Sequence, residues 1–118
     1  MRARAVSALL VLGALAHDVA AATPIPRPTD ELRLLDYLFG VALECGLVDA
    51  AVIEGYTVRT AAIVARLGLT DAARSHTRAV ALIAVDREWS NRGLGGYRGW
   101  CRTEGAGAAA LFAGTPTP

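Results

Sequence analysis

The sequence predicts an all-α fold, a small bundle of three to four helices with one disulfide. Three observations predict it. Apolar residues recur at spacings of three and four along successive segments. No window sustains the period-two alternation of a half-buried strand. Two cysteines, Cys45 and Cys101, stand far apart in the chain, and the even count suggests a pair.

The N-terminal segment is read first, because it sets the compartment. Arg2 and Arg4 precede an apolar run, Ala5 to Ala16, and "HDVAAATP" follows with small residues where a signal peptidase cuts. The run is shorter than the roughly 20 apolar residues a membrane span needs. We therefore expect residues 1–22 to be a secretory signal cleaved after Ala22, or next best after Ala21. The competing readings are an uncleaved anchor and a buried first helix. Export brings the cysteines into an oxidising compartment, where a disulfide closing nearly sixty residues contributes roughly 4 kcal/mol. Two buried free thiols are the alternative.

Residues 23–28 read as a flexible, proline-rich leader, residues 29–113 as one helical domain, and residues 114–118 as a disordered tail. Thr29 is the expected cap of the first helix, with Asp30 and Glu31 in its first turn. Leu34, Leu38, Val41 and Cys45 form its apolar stripe, widened by Leu35 and Ala42. Arg33, Asp36, Gly40 and Glu44 fall on another side. Gly46 then suits the position after the helix end, with Leu47 folding back and Cys45 at the last turn. The second helix spans about Asp49 to Leu67, with Val52, Ile53, Tyr56, Ile63 and Leu67 as its core face. Gly68 and Leu69 repeat the ending. Thr70 caps the third helix, whose expected core face is Ala79, Leu82 and Ile83, with Asp71, Arg74 and Arg78 outward.

"NRGLGGYRGWCRTEG", Asn91 to Gly105, is the least ordinary stretch. Gly93, Gly95, Gly96 and Gly99 would normally end a helix, each costing about 1 kcal/mol against alanine. On a helical wheel, however, Trp89, Gly93, Gly96 and Trp100 fall within about 60° of one another. Arg87, Asn91, Arg98 and Arg102 fall opposite. That sorting favours a helix continuing through the glycines, with a bend or a change of neighbour near Asp86. Gly93 and Gly96 would then line a close helix contact beside the two tryptophans. The functional alternative is a shallow site of Trp89, Arg92, Tyr97, Arg98, Trp100 and Arg102.

Composition excludes several chemistries. Removing Arg2, Arg4 and Asp18 leaves ten arginines against ten acids, too even a balance for a general nucleic-acid surface. There is no lysine, hence no Schiff-base or Walker lysine. "GLGGYRG" is not the dinucleotide fingerprint, and no strand precedes it. His76 is the one histidine left after cleavage, too few for a metal site. Ser75 and His76 are adjacent and so do not face each other on a helix. Asp86, on the tryptophan side, calls for an ion-pair partner such as Arg59 or Arg66. Glu88 and Arg92 form an i, i+4 pair. No catalytic group, metal site or cofactor is predicted.

"LECGL" and "NRGLGGYRGWCRTEG" together resemble a group of small, exported, uncharacterised α-helical proteins of alphaproteobacteria. The resemblance covers roughly Leu43 to Ala110. It implies an all-helical periplasmic protein with Cys45 paired to Cys101, and it implies no activity. Three functions follow as expectations. The first is a non-enzymatic periplasmic module binding a protein or an anionic envelope component through the aromatic and arginine region. The second is a periplasmic acid-stress chaperone. The third is a small-ligand-binding protein or small enzyme.

Overall fold

A computed structural model describes Ile25 and residues 27–116. The expected signal segment, half of the leader and the last two residues lie outside the described residues. The described chain is all-α with one disulfide. Its helices are α1 (Asp30–Glu44), α2 (Ala50–Leu67), α3 (Asp71–Asn91), α4 (Gly96–Trp100) and α5 (Ala106–Ala113). A π-helical turn, Cys101–Gly105, joins α4 to α5, so these three pieces run as one final helix. None of the described helices is long and apolar enough to cross a membrane.

Local chemistry sets the ends of the helices. Asp49 accepts a hydrogen bond from Val52 N at 2.9 Å, and Thr70 Oγ1 accepts one from Ala73 N at 3.1 Å. Both side chains satisfy a backbone donor that the first turn leaves free. The α1 start differs from expectation. Thr29 makes no side-chain cap; Asp30 instead turns back to accept from Arg27 N at 2.7 Å. Gly46 ends α1 as expected, in a left-handed conformation with Leu47 N returning to Ala42 O. The folded part also passes Ala113. Thr115, assigned to the tail, takes a 2.6 Å hydrogen bond from Arg59 Nε and donates to Leu111 O.

α1 is the central helix. It packs on α3 along one side and on α2, α5 and the π-turn along others. It therefore buries much more than a stripe: Leu32, Leu35, Asp36, Gly40, Val41 and Ala42 are all buried. This corrects the expected polar side, since Asp36 and Gly40 point inward, and it corrects Leu34, which is 55% exposed. On α2 the inward positions are Val52, Gly55, Thr60 and Ile63, while Ile53 faces out. On α3 they are Thr77, Ala81 and Val85. Ala79, Leu82 and Ile83 are exposed, so the buried face of α3 lies about 150° around the helix from the expected one, nearly opposite to it.

Close approach explains the rotation. A Cβ at Gly40 would lie 2.8 Å from Val85 Cγ2, so α3 presses on α1 through a glycine. At Gly55 the approach is closer still: a Cβ there would sit 1.8 Å from the Phe112 carbonyl oxygen. Small residues, not the largest apolar ones, decide which faces meet. One core then gathers Leu32, Leu35, Val52, Ile63 and Phe112 between α1, α2 and α5. A second gathers Val41, Val85 and Trp100, with Tyr37 and Trp89 against it.

The glycine stretch breaks where a continuous helix was expected. α3 runs as one helix past Asp86 to Asn91, and the chain then turns at Gly93 (φ 66°) and Gly95 (φ 81°). Such angles cost an L side chain about 1–2 kcal/mol. Both glycines have open space where a Cβ would be. Gly93 and Gly96 therefore do not line a helix contact, and the glycines serve the turn. Asp86 is exposed and joins no ion pair among the described residues; Arg59 goes to Thr115 and Arg66 to Glu31.

Candidate functional site

α2 and α3 follow each other in sequence yet touch little, because both lean on α1 rather than on each other. Between them α1 shows one edge to solvent. The result is a cleft of about 220 Å³ lined by Asp36, Phe39, Leu43, Tyr56, Arg78 and Leu82. Its rim is apolar and open: Leu43 is 49% exposed and Leu82 46%.

The floor is a polar network joining three helices. Asp36, only 3% exposed, receives two hydrogen bonds from Arg74, at 2.6 and 2.8 Å. Tyr56 donates its hydroxyl proton to Asp36 Oδ1 at 2.7 Å, and Arg74 also donates to that hydroxyl at 2.8 Å. Arg74 Nη1 reaches Thr77 Oγ1 at 3.1 Å. A buried carboxylate needs this degree of pairing. Each buried side-chain polar atom among the described residues has a partner. Burial raises the Tyr56 phenol above its ordinary value, the bond to Asp36 adds to that, and Arg74 and Arg78 oppose it. The hydrogen bond to Asp36 raises the pKa of the Arg74 guanidinium further.

Phe39 stacks on Tyr56 with ring centroids 4.0 Å apart, and both meet Phe112 edge-on, at 6.1 and 5.7 Å. Offset and edge contacts of this kind hold rings in fixed orientation. The cleft is thus an apolar mouth over a rigid, satisfied polar floor. Sequence reasoning placed Asp36, Arg74 and Arg78 on outward faces and did not find this site. The available signal was the position of Asp36, four residues after Leu32 and three before Phe39, which gives it apolar neighbours on one helix face.

The residues singled out from the sequence form a different cluster. Cys45 and Cys101 are bonded, with Cα atoms 5.4 Å apart. Trp100 is a core residue, 3% exposed, and its indole N–H donates to Glu104. Trp89 packs against Tyr97 at 4.9 Å and edge-on against Trp100 at 6.2 Å. The Arg92 guanidinium lies 5.4 Å from the Trp100 ring centroid and pairs with Glu88 at 2.9 Å, as the i, i+4 spacing predicts. Arg98 lies 5.8 Å from the Tyr97 ring centroid. These aromatics occupy one another. What they leave exposed is a fringe of Arg87, Arg98 and Arg102.

No family model, curated protein or solved structure matches this chain. The geometry alone therefore carries the functional reading.

Proposed function

We propose that the protein is a non-enzymatic helical binding module of the periplasm whose ligand seats in the cleft between α2 and α3. The cleft itself carries the proposal. Apolar side chains stand open at its mouth, while the polar groups at its floor are already paired. That arrangement favours holding a molecule over transforming it, since the carboxylate of Asp36 is already engaged by Arg74 and burial keeps the Tyr56 hydroxyl protonated. The Cys45–Cys101 disulfide supports an oxidising compartment, and the N-terminal pattern supports export.

Binding of a neutral solvatochromic dye tests the reading. The wild-type chain is expected to bind Nile red saturably. Leu43→Glu and Leu82→Glu are expected to abolish that binding, because each puts a charge in the mouth. Ile83→Glu, on the same helix but outside the lining, is expected to leave it intact. Equal dye binding by all four proteins would refute the cleft as the site. Mass spectrometry of periplasmic protein checks the compartment, with a mature chain expected to begin at Thr23 or Ala22.

A second reading keeps the arginine fringe as the contact for an anionic envelope component. Arg87, Arg98 and Arg102 favour it, being exposed and outside every ion pair among the described residues.

A further inference from the structure

The charge at the polar end of the cleft is unbalanced. Arg74 neutralises Asp36 through two hydrogen bonds, and those two groups cancel. Arg78 also lines the cleft, is exposed, and enters no salt bridge among the described residues. One positive charge therefore remains in the lining, near the Tyr56 hydroxyl, in a slot it shares with Phe39, Leu43 and Leu82. A ligand complementary to this slot is apolar along its length and anionic at one end.

We propose that the cleft binds a medium-chain carboxylate, an amphiphilic acid of about eight carbons, with its head on Arg78 and its chain between Leu43 and Leu82. This rests on the cleft being the binding site. A planar carboxylate suits a guanidinium, which offers two parallel donors to its two oxygens. A water molecule takes up about 30 Å³. Taking a methylene as similar in size, a cleft of about 220 Å³ holds roughly seven. The already paired Asp36 explains why one added anion is accepted: its own charge is spent on Arg74. A cationic amphiphile would instead meet Arg78 unscreened.

Isothermal titration with a homologous series of straight-chain acids is the test. Affinity is expected to rise about two- to fourfold per added methylene, as burial of apolar chain requires, and to level off beyond about eight or nine carbons. Arg78→Gln is expected to weaken octanoate at least tenfold and methyl octanoate far less, so that the preference for the acid over the ester is lost. Octylamine and methyl octanoate are expected to bind at least tenfold more weakly than octanoate. Sedimentation with phosphatidylglycerol vesicles separates a free acid from a bilayer lipid, and no co-sedimentation is expected. Octanoate binding that survives Arg78→Gln would overturn the proposal. So would equal affinity for the amine, or vesicle binding without binding of the monomeric acids. Loss of acid selectivity with dye binding still sensitive to Leu43→Glu would sink this inference and spare the cleft. Loss of both would sink the two together.

Discussion

Arg74→Met isolates the energetics of the floor. In the native chain the Asp36 carboxylate is almost fully buried, and Arg74 supplies its only ion-pair partner among the described residues, at 2.6 Å. Methionine keeps much of the side-chain volume and removes the charge. Tyr56 then holds Asp36 alone, through one hydrogen bond. Breaking a buried pair in this way costs about 3–5 kcal/mol, because the remaining ion stays desolvated. Against a total stability of about 5–15 kcal/mol, that is a large fraction. With a urea slope of about 1.5 kcal/mol/M, the unfolding midpoint is expected to fall by roughly 2–3 M. Asp36→Leu combined with Arg74→Met is the companion variant. It removes both charges together, and replacing a whole buried pair by apolar groups is often neutral. Its midpoint is expected within about 1 M of wild type, although the Tyr56 and Thr77 hydroxyls lose their bonds to the pair. Circular dichroism at 222 nm across a urea series reads both. A single variant costing under 1 kcal/mol would refute the reasoning. A double variant as unstable as the sum of the two single changes would refute it as well.

Other outcomes follow from the same contacts. Gly55→Ala is expected to destabilise by at least about 1–3 kcal/mol, since its Cβ would strike the Phe112 carbonyl and α2 and α5 must part. Gly96→Ala meets only Arg92 Cβ, at 3.2 Å, and is expected to cost less than half as much; thermal melts compare the two. Reducing the Cys45–Cys101 bond is expected to remove about 4 kcal/mol, given a sequence separation of 56, and to lower the melting temperature by on the order of 20 °C. Alkaline pH tests Tyr56. Its folded pKa is raised above the unfolded value of 10.0. The folded state thus keeps its proton where the unfolded state has lost it. Stability is fully present below pH 10 and declines as pH rises through the folded value. Tyr56→Phe is expected to flatten that decline, leaving the part due to Tyr37, whose phenol burial also raises.

The helices were legible because their punctuation is chemical. Asp49, Thr70, Gly46 and Gly68 mark ends through hydrogen bonds and backbone angles that a sequence states directly. Cysteine parity and the export pattern suggested the disulfide in the same direct way. Faces were less legible, for a physical reason. A wheel ranks positions by side-chain hydrophobicity, and this bundle meets at its smallest residues. Gly40 and Gly55 carry no hydrophobic weight, yet they admit Val85 and the Phe112 backbone. Leu82 and Ile83 carry the most weight on α3 and remain outside. Asp36 and Arg74 deceived the wheel from the other side. Each alone reads as solvent-facing, and only the pair makes either one fit for burial.

The last helix shows a limit of another kind. Its buried positions Trp100, Gly105, Ala108 and Phe112 are spaced by five, three and four. At 100° per residue, a step of five would swing Gly105 about 140° away from Trp100. The π-turn at Cys101–Gly105 takes one wide turn over that step and brings the two back toward one side. Two contacts hold it there. Cys101 is tied to Cys45 at the end of α1, and a Cβ on Gly105 would come within 2.8 Å of the Cys45 sulfur. The disulfide and the bare glycine thus fix a wide turn that no periodic pattern announces. With that turn in place, Trp100 closes the core beside α3 while Phe112 closes the one beside α2. Straightening it would leave one of the two cores open, so the same helix supports both walls between which the cleft lies.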